Sequence, residues 1–418
     1  VTSQTPDSGA DTGARTGAHP LLIDGAVRHY AWGSRTALAE LTGRPLPTEH
    51  PEAEMWFGAH PAAPSVVSGD SRTLLDVISG DPEGQLGADR SGDRLPFLIK
   101  LLAADQALSL QAHPTKQQAE EGFARENAEG VPLGASQRNY KDDNHKPELL
   151  VALTRFEALA GFRPLDRTRE LLGALAVPDL AHTTAVLGSG DDAEDLRALV
   201  TTWLTLPAAT KRELVAVTAP ECRRLTAQVD AGEAPEWMRG PARVAGELAE
   251  QYPGDSGVLI SLLLNHVVLE PGQALYLAAG KLHAYLGGTG VEIMANSDNV
   301  LRGGLTTKHI DVPELMRVMD FAPVIDPVCP RDADGRFDVP VPDFALREVD
   351  NGQVAPVAGP AVVLVGAGGA ELSGAEGSDS TGSAPTRLRP GQAVWVPAAT
   401  GRDLQVTSLG RVFIATAG

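Results

Sequence analysis

Four short stretches of this chain set ligating and charged side chains at spacings a fold can turn into a site. In Ser109-Leu110-Gln111-Ala112-His113, polar and apolar residues alternate. Residues two apart in a strand share a face, so Ser109, Gln111 and His113 point one way. Three polar groups on one face must be solvated, paired or ligating. In His145-Lys146-Pro147-Glu148-Leu149-Leu150-Val151, Pro147 bars a helix interior and favours an extended start. Lys146 and Glu148 then share a face at the head of an apolar run. Carboxylate oxygen with imidazole nitrogen suits zinc or another divalent cation. Lys281 and His283 come after a Pro-Gly corner, and His266 and His309 compete with His283 as ligands. Glu292 lies on a strand-like run. Asp298, Arg302 and Lys308 come next on a Gly/Ser/Asn-rich segment, where Gly303-Gly304 admits close backbone approach to a ligand. Taken singly, each stretch also has an ordinary reading: a solvent-facing strand, a core histidine or a polar surface loop.

These residues need elements to hold them. Leu95–Leu102 reads as a buried strand, and Ala107–His113 as another with clean alternation. Pro114 fits the first turn of a helix over Lys116–Asn127, and Val131–Asn144 reads as a loop. From residue 164 the pattern changes. Leu165–Leu175, Asp191–Leu206 and Thr210–Ala227 carry helical periodicity. Strand grammar returns at Val258 and runs to about residue 305, with a short helix over Val312–Met319. Residues 340–418 are strand-like, broken by a low-complexity Ser/Gly loop from Leu372 to Thr386, which reads as mobile.

One segment has an echo. Leu269-Glu270-Pro271-Gly272-Gln273-Ala274 resembles Leu388-Arg389-Pro390-Gly391-Gln392-Ala393, and apolar alternation comes after both. A Pro-Gly turn feeding a strand marks the corners of double-stranded β-helix (cupin) barrels, so the echo reads as a duplication. At the same offset His283 meets Arg402, which puts a metal in the first copy.

Composition narrows the functions. The formal net charge is −19 over 418 residues, which argues against general affinity for nucleic acid or anionic membrane. The length fits two or three domains, and 43% hydrophobic residues support ordinary cores. Two cysteines, Cys222 and Cys329, cannot build a disulfide framework or a cysteine-based zinc site, and a reduced cytoplasmic setting is the simplest reading. No stretch approaches the ~20 apolar residues of a spanning helix. Residues 1–19 read as a disordered leader rather than a signal peptide.

Taken together, the blocks carry a resemblance. Gln111-Ala112-His113-Pro114, Asn144-His145-Lys146-Pro147-Glu148 and Ala279-Gly280-Lys281-Leu282-His283-Ala284-Tyr285 resemble the signatures of the type I mannose-6-phosphate isomerase family. So do Glu292, Ser297 through Thr306, Lys308, Tyr30 through Ser34 and Glu54 through Pro61. The match runs in the family's order over roughly residues 21–320, and is loose beyond.

The resemblance implies a mainly β protein. Its cupin-type barrels would comprise a catalytic barrel and a degenerate C-terminal one, with an inserted α-helical domain. The implied division is 20–163 and 253–320 for the catalytic cupin domain, 164–252 helical, and 321–418 C-terminal. It implies one Zn²⁺ per chain on Gln111, His113, Glu148 and His283. Arg302, Lys146, Glu292 and Asp298 are implied as catalytic, and Lys100, Ser109 and Lys308 as phosphate or sugar contacts. The expected activity is interconversion of mannose 6-phosphate and fructose 6-phosphate through an enediol(ate), in a cytoplasmic monomer acting on a small phosphosugar. The rivals are an Fe(II) cupin oxygenase and a non-catalytic sugar-binding cupin.

Overall fold

A charged residue stranded in an apolar run marks the centre of the architecture. In a computed structural model of the chain, which describes residues 19–88, 94–374, 385–400 and 404–418, the strand Phe97–Ala104 is buried along its length, Lys100 included. It lies within an 11-stranded antiparallel sheet between Glu54–Phe57 and His283–Ala295. Burial on both faces is why it reads as a continuous apolar run.

The 13-residue strand His283–Ala295 joins several of the others. Its second half pairs with Phe97–Ala104 on one edge and Glu148–Ala152 on the other. Its first half pairs with Phe156–Phe162 and, at His283, with Gln111 of the short strand Leu110–Ala112. Between Tyr285 and Gly287 the register slips, and Gly288 takes φ 121°. A Cβ there would lie 2.7 Å from the Arg155 carbonyl oxygen, so the corner needs glycine. In a straight strand Tyr285 and Glu292 would be roughly 23 Å apart and on opposite faces. Instead the Tyr285 hydroxyl donates to Glu292 Oε1 at 2.8 Å. The extra residue of the bulge corrects the face, and the bend closes the distance.

The C-terminal part forms a 6-stranded and a 4-stranded sheet. Leu21–Asp24 joins the first of these by pairing antiparallel with Ala393–Val396. The echoing corners fold alike. Gln273 N–H donates to the Glu270 carbonyl at 2.9 Å, and Gln392 N–H to that of Arg389 at 3.0 Å. Gln273 Oε1 accepts from Glu270 N–H, as Gln392 Oε1 does from Arg389 N–H. Arg402, residues 1–18 of the leader and residues 375–384 of the Ser/Gly loop lie outside the described residues. The ends of that loop are strands rather than loop. Leu372 belongs to Ala370–Gly374 and Thr386 to Thr386–Leu388, and the two strands pair. Ladder hydrogen bonds there override the local Ser/Gly composition.

Between the strands lie the helices Leu165–Leu175, Pro178–Thr184, Asp192–Thr205, Ala208–Asp230, Arg239–Gln251 and Ser256–Ser261. Asp191 caps the third by accepting from Ala193 and Glu194 N–H. Ala208–Asp230 overruns the expected segment at both ends and continues through Pro220. Two further expectations change. Val258 sits in the helix Ser256–Ser261, and the strand begins only at Leu264. An apolar run buried on all sides carries no period to separate helix from strand. The expected strand Ala107–His113 shrinks to Leu110–Ala112. Among the described residues no helix is long and apolar enough to cross a membrane.

An ion pair fastens the helices to the strand Phe156–Phe162. Arg243 donates to Glu157 Oε2 at 2.6 Å, and His266 Nε2 lies 3.5 Å from the same oxygen. The His266 contact, then Arg243 against the opposing effect of burial, holds Glu157 below the usual carboxylate range. A carboxylate depressed in the folded state adds stability above its unfolded pKa and loses it as pH falls through the folded one. Glu157→Gln is expected to cost about 1–2 kcal/mol at pH 7, and less as pH drops below about 4. Denaturant melts of both proteins at pH 7 and pH 3.5 check this; an equal penalty at both would mean that the charge contributes nothing.

Candidate active site

Leu110–Ala112 leads into His113, Glu148 opens Glu148–Ala152, and His283 opens His283–Ala295. These strand ends converge, so that one ligating atom from each of His113, Glu148 and His283 lies within 4.8 Å of the others. His113 Nδ1 lies 2.7 Å from the Asn299 carbonyl oxygen, and His283 Nδ1 lies 2.9 Å from that of Lys281. A carbonyl only accepts, so each Nδ1 carries the proton and each Nε2 presents a lone pair. Both lone pairs face Glu148, at 3.5 Å from Oε1 for His113 and 3.4 Å from Oε2 for His283.

His113 Nε2, His283 Nε2 and Glu148 Oε2 are buried with no hydrogen-bond partner. Burial pushes the His113 imidazole down to about 4, so it is neutral at pH 7. Converging buried acceptors without a donor are costly. A cation among them removes that cost, so these residues fit a metal. Gln111 pairs with His283 in the sheet and lines the same cavity as Glu148. Two imidazoles and a carboxylate suit zinc.

Around this cluster the charges are paired and buried. Lys146 lies 2.9 Å from Glu148 Oε1. Lys100 donates to Glu292 Oε2 at 2.7 Å and lies 3.5 Å from Glu54 Oε1. Burial opposes the Lys100 charge, but Glu292 and Glu54 outweigh it and hold Lys100 above the usual lysine range. Burial raises the Glu292 carboxyl against the pull of Lys100. Burial would also raise Glu148, but the Lys146 ammonium beside it holds it well below the usual range. Three carboxylates thus face two ammonium groups, and a dication would reverse the sign of the set.

A cavity of about 480 Å³ opens over the cluster. It is lined by Lys100, Ser109, Gln111, Lys146, Glu148, Glu292, Asp298, Arg302 and Lys308, so these sequence candidates come together. His113 and His283, each 1% exposed, join them through Glu148. His266 instead pairs with Glu157, and His309 is exposed. Among the described residues neither Arg302 nor Lys308 has a carboxylate within salt-bridge distance, although burial lowers both pKa values and the Arg302 charge further lowers that of Lys308. Two neighbouring cations without a described carboxylate partner can receive an anion.

Four further residues shape the site. Glu54 accepts from Trp56 Nε1 at 2.7 Å and neighbours Lys100. Tyr285 holds Glu292. His60 Nδ1 accepts from Ala62 N–H, and its Nε2 lies 3.6 Å from Asp298 Oδ1. The Asn299 side chain accepts from Lys141 N–H at 2.6 Å and donates to the Asn144 carbonyl at 2.8 Å, fixing the backbone that receives His113. A charged residue two before Trp56 in a short apolar strand is the signal for Glu54. Nothing local marks Asn299, because its partners are about 150 residues away.

Comparison with known proteins agrees with this geometry. The profile of phosphomannose isomerase type I, catalytic domain, matches residues 21–165. The mannose-6-phosphate isomerase of Escherichia coli K12 is 40% identical over 392 residues, covering 89% of this chain and 93% of the relative. This chain belongs to the mannose-6-phosphate isomerase family. The family member from Bos taurus is 35% identical, covering 78% of this chain and 80% of its own. The crystal structure of mannose 6-phosphate isomerase from Salmonella typhimurium, bound to substrate (F6P) and zinc, superposes with a TM-score of 0.82 at 36% identity. It covers 96% of this chain and 100% of that one. Another, bound with zinc and yttrium, also gives 0.82 at 36% identity.

Proposed function

We propose that the cavity interconverts mannose 6-phosphate and fructose 6-phosphate by moving a proton between C2 and C1 through an enediolate. The observation that carries this is a single cleft holding orphaned buried acceptors, paired lysines and unpaired cations together. One Zn²⁺ held by Gln111, His113, Glu148 and His283 would supply Lewis-acid stabilisation of charge on the sugar oxygens.

Arg302 and Lys308 receive the phosphate and the developing oxyanion charge, with Ser109 as a further polar contact. Lys100 and Lys146 donate hydrogen bonds to sugar oxygens from fixed positions on Glu292 and Glu148. Asp298 moves the proton. The other carboxylates lining the cavity are bonded to lysine or tryptophan, whereas the Asp298 carboxylate has, among the described residues, only His60 at 3.6 Å. Glu292 acts by holding Lys100 and Tyr285 in place. An Fe(II) oxygenase or a simple sugar-binding module would leave Arg302 and Lys308 without an anionic partner.

The same reading takes the scaffold as cupin-type double-stranded β-helices, supported by the matching Pro-Gly corners. It divides the chain into a catalytic domain (20–163 and 253–320), a helical domain (164–252) and a C-terminal cupin-like domain (321–418). It takes the protein as a cytoplasmic monomer that binds no nucleic acid; the two buried free cysteines support the reducing setting and the net charge of −19 the lack of nucleic-acid affinity.

A coupled assay for fructose 6-phosphate, run before and after chelation, tests the proposal. Chelation is expected to remove activity and zinc to restore it, while iron does not. Activity indifferent to chelator and zinc would overturn the metal assignment.

A further inference from the structure

Thr306, Thr307 and Lys308 line the cavity from a segment with little of its own structure. Asp255, half-buried between the helices Arg239–Gln251 and Ser256–Ser261, accepts two backbone N–H groups. Gly257 donates to Oδ1 at 2.7 Å and Thr306 to Oδ2 at 3.1 Å. The backbones of Gly257 and Gly304 also touch. A Cβ on Gly304 would lie 2.6 Å from Gly257 Cα, and one on Gly257 would lie 2.7 Å from Leu305 N. Leu305 itself has φ 56°, a left-handed conformation that costs a residue with a side chain and persists only where the surroundings impose it. The same helical segment reaches another part of the wall. Tyr252 lines the cavity, and its hydroxyl donates to the Ala107 carbonyl at 3.0 Å, close to Ser109.

We propose that Asp255, through Thr306 N–H and the Gly257–Gly304 contact, is a positioning residue that presents the Leu305–Lys308 segment to the substrate's phosphate. This rests on the reading that Arg302 and Lys308 receive that phosphate. Asp255 does not line the cavity and acts only through the segment it holds. Without its second oxygen, Thr306 N–H loses its acceptor. Leu305 can then relax toward ordinary φ, and the Lys308 ammonium drifts. The loss falls on anion binding rather than on proton transfer.

The test uses the full-length zinc-loaded protein, with inorganic phosphate as a competitive probe. Asp255→Ala is expected to raise both KM for mannose 6-phosphate and the phosphate inhibition constant about tenfold, the size of one charge-assisted hydrogen bond. Its kcat should stay within about twofold. Asp255→Asn, which keeps one acceptor, should fall between. Gly257→Ala keeps both acceptors but pushes on Leu305 N, and should repeat the pattern; it decides the matter if Asp255→Ala does not fold. Lys308→Gln tests the underlying phosphate reading. If it weakens phosphate while folded Asp255→Ala changes neither constant, or lowers only kcat, the positioning role is overturned and the phosphate site stands. If Lys308→Gln leaves phosphate inhibition intact, the phosphate reading falls and this role with it.

Discussion

Glu148→Ala is expected to abolish zinc binding and turnover together. Glu148 is the carboxylate of the cluster, and both histidine Nε2 atoms face it. Its loss leaves only neutral donors for the cation and strands the Lys146 ammonium, which is 12% exposed as a side chain and keeps no described carboxylate partner. An uncompensated cation in a metal pocket repels the very ion the pocket must attract. Zinc content should fall from one per chain toward none, and kcat/KM by at least about 10³, because charge stabilisation worth several kcal/mol disappears. Metal analysis on desalted protein and the coupled assay read the two effects separately. A folded variant that keeps its zinc, or keeps its activity without it, would remove Glu148 from the ligand set. Glu148→Gln should restore part of the fold stability but not the affinity, since the amide fills the space without the charge.

Arg302→Ala should cost turnover with zinc still bound. Arg302 lies on Leu301–Gly304, its backbone paired with Gln111, so its place relative to the metal cluster is set by a sheet rather than by a loop. Burial lowers its pKa, and no described carboxylate compensates it. The free protein therefore carries a cation whose full stabilisation arrives only with an anion. A group that interacts more strongly with the transition state than with water lowers the barrier. The expected loss is about 10²- to 10³-fold in kcat, on the scale of a deleted oxyanion donor. Arg302→Lys should recover only part, because lysine lacks the planar fork. Stability should be unchanged or slightly higher. Near-normal kcat in a folded, zinc-replete Arg302→Ala protein would end this assignment.

How much of the fold and the site was legible in the sequence depended on how local each signal was. The run Leu95–Leu102 reads as a buried strand because burial on both faces demands an unbroken apolar stretch, and the strand itself is Phe97–Ala104; the pairing of Lys100 with Glu292, 192 residues away, is not legible there. The ligating residues were legible as strand positions two apart, and family blocks in order supplied which of several histidines to choose. The short helix Ser256–Ser261 reads as strand because full burial erases periodicity. Asn299, His60 and Asp255 escape sequence reasoning for a different reason. Each acts through a backbone group or a side chain far away in sequence, and nothing near it in the chain betrays the partner. The acidic total of −19 misleads only if applied to the cleft. It describes the outer surface, whereas Arg302 and Lys308 face the cavity without a described counter-ion.

The bent strand His283–Ala295 has a mechanical consequence. One covalent span carries a metal-facing imidazole at its start and, beyond the corner, the carboxylate that holds Lys100. No loop intervenes, so the spacing between the His113–Glu148–His283 cluster and the Lys100–Glu292 pair is a property of one stiff member folded at a hinge. That hinge is set by Gly287 and Gly288, which contribute no side chain to the chemistry. The cavity-lining segment beyond Gly304 is hung separately, from Asp255. The working parts therefore divide into a fixed jaw and an adjustable one. Selection for a new phosphosugar can retune the second without disturbing the alignment stored in the first.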